Sequence, residues 1–530
     1  MRVTNNMILK NSASNINGTK VQVDKTNKQM TTQKKISRPS EDPVTAIRSL
    51  RLSTQLSQID QYYKKNIPDA ESWLDVTETA ITNMKSIITD FRTLCDKGAN
   101  GTLTQDDRNT ILTQLKSLQE QLYEEGNADY AGRTVFTGYR TDKSLTFTDN
   151  ELDTKYNITE TFSASDISSY RYFNGEVTLP TTLEQTNSTT YQDANMGDMT
   201  RTEYNRLRLS YNGSDADTLE YIKIGDNQYE LMNSGTASTG SQSVSLTNNG
   251  GGTLTVYNNE SEWAAANTPS AKTVGDNDIV YIKSTGDLIL GNQIAADLKS
   301  DSAKIEVNYT KTGFNAGELR PEYYFNCVDE SDQNSANWIT YEKYDANGEE
   351  INYDINYTVS SRQTLAVNLE ASDVFDADIY QDIQDMINAV SSAVNAHSKL
   401  TTVSAMKTQS EYAATEAQDN LVKWESATQK EADYYDDNLQ KLFSTFLGKA
   451  DTYLSEISLA QTKVGCKGDQ LALTKSRMDD QQETVQELQS TNDDLDLSDI
   501  ILKYTAAYTA YQSSLQAAGK LGSVSLLNYI

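Results

Sequence analysis

The most regular pattern in this chain is an apolar stripe close to its C-terminus. Apolar residues recur there at alternating steps of four and three, which places them on one face of an α-helix. The stripe consists of Leu497, Ile501, Tyr504, Tyr508, Tyr511, Leu515 and Ala518. Two interpretations are open: the helix packs on its own domain, or the stripe is an assembly interface between subunits.

A half-complete version of this pattern lies at the other end of the chain. One apolar residue recurs every seven positions, at Leu9, Ile16, Val23 and Met30. A full coiled-coil seam needs a second apolar column, but the neighbouring column is polar and contains Ser12, Thr19 and Thr26. Burying one apolar side chain contributes about 1.5–3 kcal/mol, whereas ordering the backbone costs about 1–2 kcal/mol per residue. We therefore hypothesise that the terminal helices are disordered in the monomer and fold on assembly.

Between the two ends, further apolar stripes predict a set of longer helices. Pro39 blocks the first helix, and the next can begin with Asp42 or Ser40 as its cap and Pro43 in its first turn. We expect Pro68 to kink or break the helical run that precedes the stripe beginning at Trp73. A Gly-Ala-Asn-Gly segment at residues 98–101 ends a helix, and Thr104 begins another. The stripes are Trp73, Thr77, Ala80, Met84, Ile87, Phe91, Leu94; Ile111, Leu115, Leu118, Leu122; Ile379, Ile383, Met386, Val390, Ala393; Leu421, Trp424, Thr428, Tyr435, Leu439, Leu442, Phe446; and Ile457, Val464, Leu471, Met478, Val485.

The middle of the chain has a different pattern. From about residue 145 to 365 it is rich in Asn, Thr, Ser, Gly and Tyr, and short stretches alternate between apolar and polar residues, which is typical of β-strands. Asn347-Gly348 is a hairpin signal, and residues 248–252 (Asn-Asn-Gly-Gly-Gly) are a predicted loop tip. The alternating residues are Leu207, Leu209, Tyr211; Leu254, Val256; and Ile351, Tyr353, Ile355, Tyr357, Val359. The predicted fold is mainly α: a rod of helical coiled-coil bundle built from both chain termini, with a large β-rich central insert.

Composition excludes several classes of function. The formal net charge of -29 argues against nucleic-acid binding and against anionic membrane surfaces. No stretch approaches the roughly 18 apolar residues of a membrane span, and the first twenty residues lack the apolar core of a signal peptide. The single histidine excludes metal sites that need two. The three cysteines, Cys95, Cys327 and Cys466, are widely spaced and predict no disulfide framework.

Individual reactive residues have structural explanations. His397 continues an apolar stripe and is expected to lie packed at the edge of a core, although a general base or ligand is the alternative. Cys95 follows Leu94 at the end of a stripe and is expected to be a small core residue. The acidic cluster Asp493, Asp494, Asp496 and Asp499 lacks the spacing of a calcium loop and suits a helix N-terminus. We predict no catalytic, cofactor-binding or metal-binding residues, and no enzyme activity.

Several separated motifs carry a family resemblance. Residues 35–43 read Lys-Ile-Ser-Arg-Pro-Ser-Glu-Asp-Pro and resemble the signature of the hook-associated protein 3 family, the hook–filament junction proteins of the flagellin superfamily. The signature residues are Ser37, Arg38, Pro39, Asp42 and Pro43. Residues 72–75, 99–102, 130–133 and 504–530, and more weakly 319–325, are similar to the same family. Filament flagellin, which typically has Arg-Ala-Gly-Asp-Asp in place of the signature, is the second resemblance.

The resemblance implies an architecture. Residues 1–40 and 491–530 would form the inner tube, 41–140 and 371–490 a helical bundle, and 141–370 a β-rich outer domain of one or two subdomains. The assembly interface would then comprise the column at Leu9, Ile16, Val23 and Met30 together with Leu497, Ile501, Tyr504, Tyr508, Tyr511 and Leu515.

The resemblance also implies a role and partners. The chain would be exported through the flagellar channel without a cleaved signal and would join the junction ring to the filament at the cell exterior. Expected partners are copies of itself, hook-associated protein 1, flagellin and a cytoplasmic export chaperone, with no nucleic acid and no membrane. The alternatives are filament flagellin itself and a surface adhesin that displays the β insert.

Overall fold

The computed structural model describes residues 5–100, 103–197, 199–213, 218–224, 227–230, 242–245, 253–266, 272–301, 304–346, 348–374 and 376–523. The described chain forms two compact units. The first is drawn from Met1–Ser72, Asn356–Ala366 and Lys467–Ile530, and the second from Trp73–Ile355 and Val367–Cys466. None of the helices within these ranges has the length and apolarity that a bilayer crossing requires.

Long helices occupy both ends of the chain and strands occupy its middle. The longer helices are α1 (Asn5–Thr32), α2 (Pro43–Gln61), α3 (Ile67–Asn100), α4 (Gln105–Gly126), α9 (Asp378–Met406), α10 (Thr415–Asp493) and α11 (Leu497–Ser523). Four short helices lie between them: α5 (Leu183–Asn187), α6 (Thr189–Asn195), α7 (Glu260–Ala265) and α8 (Asn292–Asp301). The predicted mainly helical fold with a central β-rich region is confirmed.

In the first unit, the predicted helix start is confirmed. Asp42 caps α2 by accepting hydrogen bonds from the backbone N–H groups of Val44 and Thr45, and Pro43 occupies the first turn. Pro68 does not break the run, because the chain remains helical there, but the regular α-helix ends at Gln61, just before it; the expected kink stays a prediction. A π-helix at Tyr62–Asn66 joins α2 to α3 immediately before the proline, where a missing N–H group would interrupt a regular α-helix.

In the second unit, the apolar stripes of α3, α4 and α9 form buried helix faces. Every member of three predicted stripes is buried: those from Trp73 to Leu94, from Ile111 to Leu122 and from Ile379 to Ala393. Helix α4 packs along α9. Thr104 and Asp107 begin α4 with reciprocal side-chain-to-backbone hydrogen bonds, which confirms that predicted start.

His397 and Cys95 are also in the second unit. The Nε2 atom of His397 lies 2.9 Å from Asp436, and Asp436 also accepts hydrogen bonds from the buried Arg108 at 2.7 and 2.8 Å. His397 is therefore a half-buried residue within hydrogen-bonding distance of the Arg108–Asp436 ion pair. Cys95 is fully buried, and burial raises the pKa of its thiol to about 12, as expected of a core residue.

Two six-stranded sheets form the central region of the second unit. The first has the order β14-β13-β3-β12-β6-β7 and the second β4-β5-β11-β10-β9-β8. In the first sheet, β3 and β12 are antiparallel, with Ile158 opposite Tyr309; in the second, β9 and β10 are parallel. The strands are β3 (Glu151–Phe162), β4 (Ser168–Asn174), β5 (Thr200–Arg208), β6 (Leu219–Ile224), β7 (Asn227–Glu230), β8 (Gln242–Ser245), β9 (Thr253–Tyr257), β10 (Ile279–Ile282), β11 (Asp287–Leu290), β12 (Ile305–Phe314), β13 (Asn326–Asp329) and β14 (Ile339–Tyr341).

One buried cluster lies between these sheets. It includes Ile158 and Val307 from the first sheet and Leu207, Leu254 and Leu288 from the second. The alternating residues predicted near 207 and 254 are thus core residues.

The remaining strands form two small antiparallel pairs. β1 (Asp129–Tyr130) pairs with β2 (Arg133–Thr134), and β15 (Asn356–Ser360) pairs with β16 (Gln363–Ala366).

The strand predicted over residues 351–359 is only partly correct. It begins at Asn356, and the residues before it form no strand. The side chain of Asn368 binds their backbone instead, accepting from the N–H of Ile355 and donating to the carbonyl of Tyr353, each at 2.9 Å. At the predicted hairpin, Asn347 lies outside the described residues and Gly348 has a φ of +81°. Residues 248–252, the predicted loop tip, also lie outside them.

Candidate assembly surface

The helices from the two ends of the chain pack on one another in the first unit. The inward face of α1 includes both heptad columns, because Ser12, Ile16, Thr19, Val23 and Thr26 are all at least half-buried. Thr26 is 2% exposed. The sequence suggested that this polar column would leave the seam incomplete. In the structure the column instead lies against α11.

Hydroxyl hydrogen bonds explain how a polar column can be buried. The Thr26 hydroxyl donates to the carbonyl oxygen of Gln22 at 2.9 Å, and the Thr19 hydroxyl lies 3.0 Å from the carbonyl of Ile16 and 3.2 Å from the hydroxyl of Ser514 on α11. Because the hydroxyls of Thr19 and Thr26 both have partners, these small polar residues can face another helix without an unpaired group. Periodicity counts apolar residues only and therefore missed this.

On α11, the face toward α1 shares every second position with the predicted stripe, and the positions between them lie one residue earlier than predicted. The most buried positions again alternate by four and three, and they are Ile500, Tyr504, Ala507, Tyr511, Ser514 and Ala518. Tyr504, Tyr511 and Ala518 belong to both patterns. Ile500, which is 1% exposed, is absent from the predicted stripe, although the same four-three spacing counted from residue 500 includes it.

The remaining predicted residues of α11 form an exposed apolar column. Leu497, Ile501, Tyr508 and Leu515 are 43–47% exposed. The rings of Tyr504 and Tyr508 stack with their centroids 6.0 Å apart. This contact joins the exposed column, through Tyr508, to the buried face, through Tyr504. Leu9 on α1 is 46% exposed, and Ile16, Val23 and Met30 are half-buried. Among the predicted interface residues, the packing of α1 on α11 thus leaves five half-buried and the others exposed. The half-buried residues are Ile16, Val23, Met30, Tyr504 and Tyr511.

The turns beside these helices are joined by backbone hydrogen bonds. The N–H of Lys35 donates to the carbonyl of Asp493 at 2.7 Å, and the N–H of Leu495 donates to Gln33 at 2.8 Å. Lys34 pairs with Asp494 at 2.5 Å, and this hydrogen bond lowers the pKa of Asp494. Both side chains are well exposed, so the pair contributes little to stability.

Only part of the predicted acidic cluster lies at a helix start, because Asp493 is the last residue of α10 and Asp494 pairs with Lys34. The carboxylate of Asp496 accepts from the N–H of Ser498 at 2.7 Å, and hydrogen bonds to the start of α11 lower its pKa. Asp499 pairs with Lys503 one turn later. Among the residues described, no group of acidic, histidine or cysteine side chains is arranged to hold a metal ion.

Comparison with known proteins points to the flagellum. The family described as the bacterial flagellin N-terminal helical region matches residues 3–141. Flagellar hook-associated protein 3 of Salmonella typhimurium is 29% identical over 143 residues, and the same-named protein of Escherichia coli is 31% identical over 149.

The resemblance to hook-associated protein 3 is confirmed. Each match covers 27% of this chain and 45% of the relative, so the chain spans less than half the length of the curated relatives it matches. A solved hook-associated protein 3 from Legionella pneumophila is 10% identical, with coverage of 83% of this chain and 97% of that one. Its TM-score of 0.28 is too low to support an argument about the fold.

The signature residues lie inside the matched flagellin region, at the turn between α1 and α2. The N–H of Ser37 donates to the Glu41 carboxylate at 3.0 Å, and the N–H of Glu41 donates to the carbonyl of Arg38 at 3.0 Å. Pro39 is exposed between them. The hydroxyl and backbone N–H of Thr45 lower the pKa of Asp42. Within the matching segments at the chain ends, residues 101–102 and 524–530 lie outside the described residues.

Proposed function

We propose that this chain is a structural subunit of the bacterial flagellum that joins the hook-side junction ring to the flagellin filament through its terminal helices. The matched relatives are flagellar hook-associated proteins, and the flagellin family match over residues 3–141 includes α1 and α2. The chain would act by packing alone and catalyse no reaction.

The distribution of exposed apolar side chains carries this proposal. Of the 21 large apolar side chains exposed in the described part of the chain, 13 belong to the first unit. That unit holds far fewer residues than the second. Single exposed apolar residues are ordinary, but a concentration of them marks an interaction surface. On α2, Val44, Ile47 and Leu50 follow helical spacing and are 54–70% exposed, which adds a second unpartnered stripe.

The proposed partners follow from this surface. Copies of the same chain would cover the columns of α1, α2 and α11, with hook-associated protein 1 on one side and flagellin on the other. An export chaperone would cover α11 in the cytoplasm before passage through the flagellar channel without signal cleavage. The site would be extracellular, at the hook–filament junction.

Filament flagellin remains the second candidate, because the matched region is one that flagellin itself possesses. Deletion of the gene in its own host, followed by electron microscopy and assay of the medium, separates the two. A junction subunit predicts intact hooks and flagellin shed into the medium. Loss of filaments with no other flagellin in the medium would identify this chain as the filament subunit. Filaments of normal appearance would contradict both and favour a surface adhesin.

A further inference from the structure

A cavity of about 510 Å³ lies within the second unit, between the second sheet and α9. Its floor is formed by buried residues of β4, β5, β11 and α9: Tyr172, Arg206, Asp287 and Asp385. Exposed polar residues mark its mouth, among them Asn212, Asn315 and Asn388. The volume is within the range of sites that bind small molecules.

The charged side chains of the cavity are paired with one another. Arg206 binds Asp385 at 2.8 Å and Asp287 at 3.3 Å, and Arg208 binds Asp385 at 2.5 Å. Burial acts to raise the pKa of Asp385, but the two arginines outweigh it and lower that pKa, so the carboxylate stays ionised. Lys272 pairs with Glu260 at 2.5 Å. Each of these three cations is bound to a carboxylate of the protein. None of them is therefore free to bind a phosphate or carboxylate ligand.

Polar groups without a protein partner remain in the lining. The Nε atoms of Arg206 and Arg208 and the hydroxyl of Thr285 are buried and have no hydrogen-bond partner in the described structure. Buried donors of this kind are costly unless water or a ligand satisfies them. Arg206 and Arg208 come from the same strand, β5, so one ligand within the cavity can reach both.

Aromatic rings provide flat apolar surfaces beside these donors. Tyr170, Tyr172, Phe173 and Tyr435 all line the cavity. Arg206 covers the ring of Tyr170 at 3.9 Å, and Phe173 and Tyr435 pack with their centroids 4.9 Å apart. Tyrosine combines a planar apolar ring with a hydroxyl that can donate or accept a hydrogen bond. Such a lining suits a ligand with both apolar faces and many hydroxyl groups.

We propose that this cavity binds a neutral saccharide. A sugar ring presents a C–H face to the partly exposed ring of Tyr435 or to the face of Tyr170 that Arg206 does not cover. Its hydroxyl groups face the unpartnered donors and the amide of Asn388 at the cavity edge. A neutral sugar suits the cavity floor because the charged side chains there are already paired with one another. This site is separate from the helices of the first unit, and binding there is independent of the proposed junction role.

The test uses the full chain and a matched pair of variants on α9. Asn388 lines the cavity mouth, whereas Asn395, one heptad later, is equally exposed and does not line it. Saturation-transfer NMR with neutral mono- and disaccharides at millimolar concentration should detect binding. We expect Asn388→Leu to weaken it about tenfold, equivalent to one hydrogen bond of about 1.4 kcal/mol, and Asn395→Leu to leave it unchanged.

Thr285→Val provides a second cavity variant that should keep the fold, because its hydroxyl has no protein partner to lose. The proposal requires at least one of the two cavity variants to lower affinity while unfolding remains at the wild-type temperature. Absence of transfer from every neutral saccharide would show that the cavity holds water only and overturn the proposal. Binding of acidic saccharides alone, or equal loss in Asn395→Leu, would also overturn it.

Discussion

Glu160 shows how one polar residue can connect two sheets. It lies on β3, is 1% exposed, and accepts hydrogen bonds from the hydroxyl of Tyr309 and from the N–H and hydroxyl of Ser210, the last two at 3.1–3.2 Å. Ser210 follows β5 of the other sheet. Despite these donors, burial raises the pKa of Glu160 to about 7. Strand periodicity could not reveal this role, because a glutamate at position 160 suggests only a solvent-facing strand residue.

This raised pKa makes stability depend on pH. Between about pH 4.5 and 7 the folded chain holds a proton at Glu160 that the unfolded chain has released, so stability falls as pH rises through this window. The whole effect is at most about 3 kcal/mol. Glu160→Gln cannot titrate, and the stability advantage of wild type over this variant should therefore shrink from pH 4.5 to pH 8.

Urea unfolding at several pH values, followed by circular dichroism, measures this difference. Glu220→Gln is the control, since Glu220 lies exposed on β6 of the same sheet, and it should follow wild type at every pH. A gap between wild type and Glu160→Gln that stays constant, or widens as pH rises, would show that Glu160 is ionised in the fold.

At the scale of elements, the helices that pack through a face of apolar side chains could be predicted from the sequence. The stripe from Trp73 to Leu94 and that from Ile111 to Leu122 follow one frame and are buried along it. Prediction failed where polar groups satisfy the backbone or fill an interface. Asn368 replaces a strand partner before β15, and hydroxyl side chains such as Thr19 and Ser514 fill the interface between α1 and α11. The cavity beside α9 was not predictable either, because it is assembled from residues more than two hundred positions apart.

The terminal helices differ from the others in how little they bury. Among the described side chains of α1 only Thr26 is buried, and among those of α11 only Ile500, whereas α4 buries four apolar residues along one face. Helices gain most of their stability from packing, and segments with few buried contacts open at low free energy. We therefore expect residues 5–30 and α11 to exchange their amide protons rapidly in a dilute monomer and α4 to exchange slowly.

Hydrogen exchange followed by mass spectrometry distinguishes these helices directly, with α4 as the internal reference. In assembled filaments attached to hooks, protection of α1 and α11 should rise toward that of α4. Strong protection of residues 5–30 in the monomer would contradict folding on assembly, because the α1–α11 pair would then be stable by itself.

At the scale of the whole molecule, the two units divide their burial unequally. The second unit encloses the sandwich core and the helix stripes, and most of the exposed apolar side chains belong to the first. A chain with this division should tolerate surface changes in the second unit better than in the first. The resemblance over residues 3–141 is to flagellar proteins, and the proposed contact with a neighbouring subunit rests on the placement of the exposed apolar side chains.

The exposed column of α11 provides the sharpest test of that surface. Tyr508→Asp puts a charge into the column, where burial against a neighbour would cost several kcal/mol without a partner. Thr509→Asp adds the same charge one residue later, at an exposed polar position of the same helix. In a host deleted for the gene, Tyr508→Asp should fail to restore filaments, whereas Thr509→Asp should restore them. Near-ultraviolet circular dichroism should show the β region folded in both variants. Filaments on cells that carry Tyr508→Asp, or failure of both variants alike, would remove the column from the assembly interface.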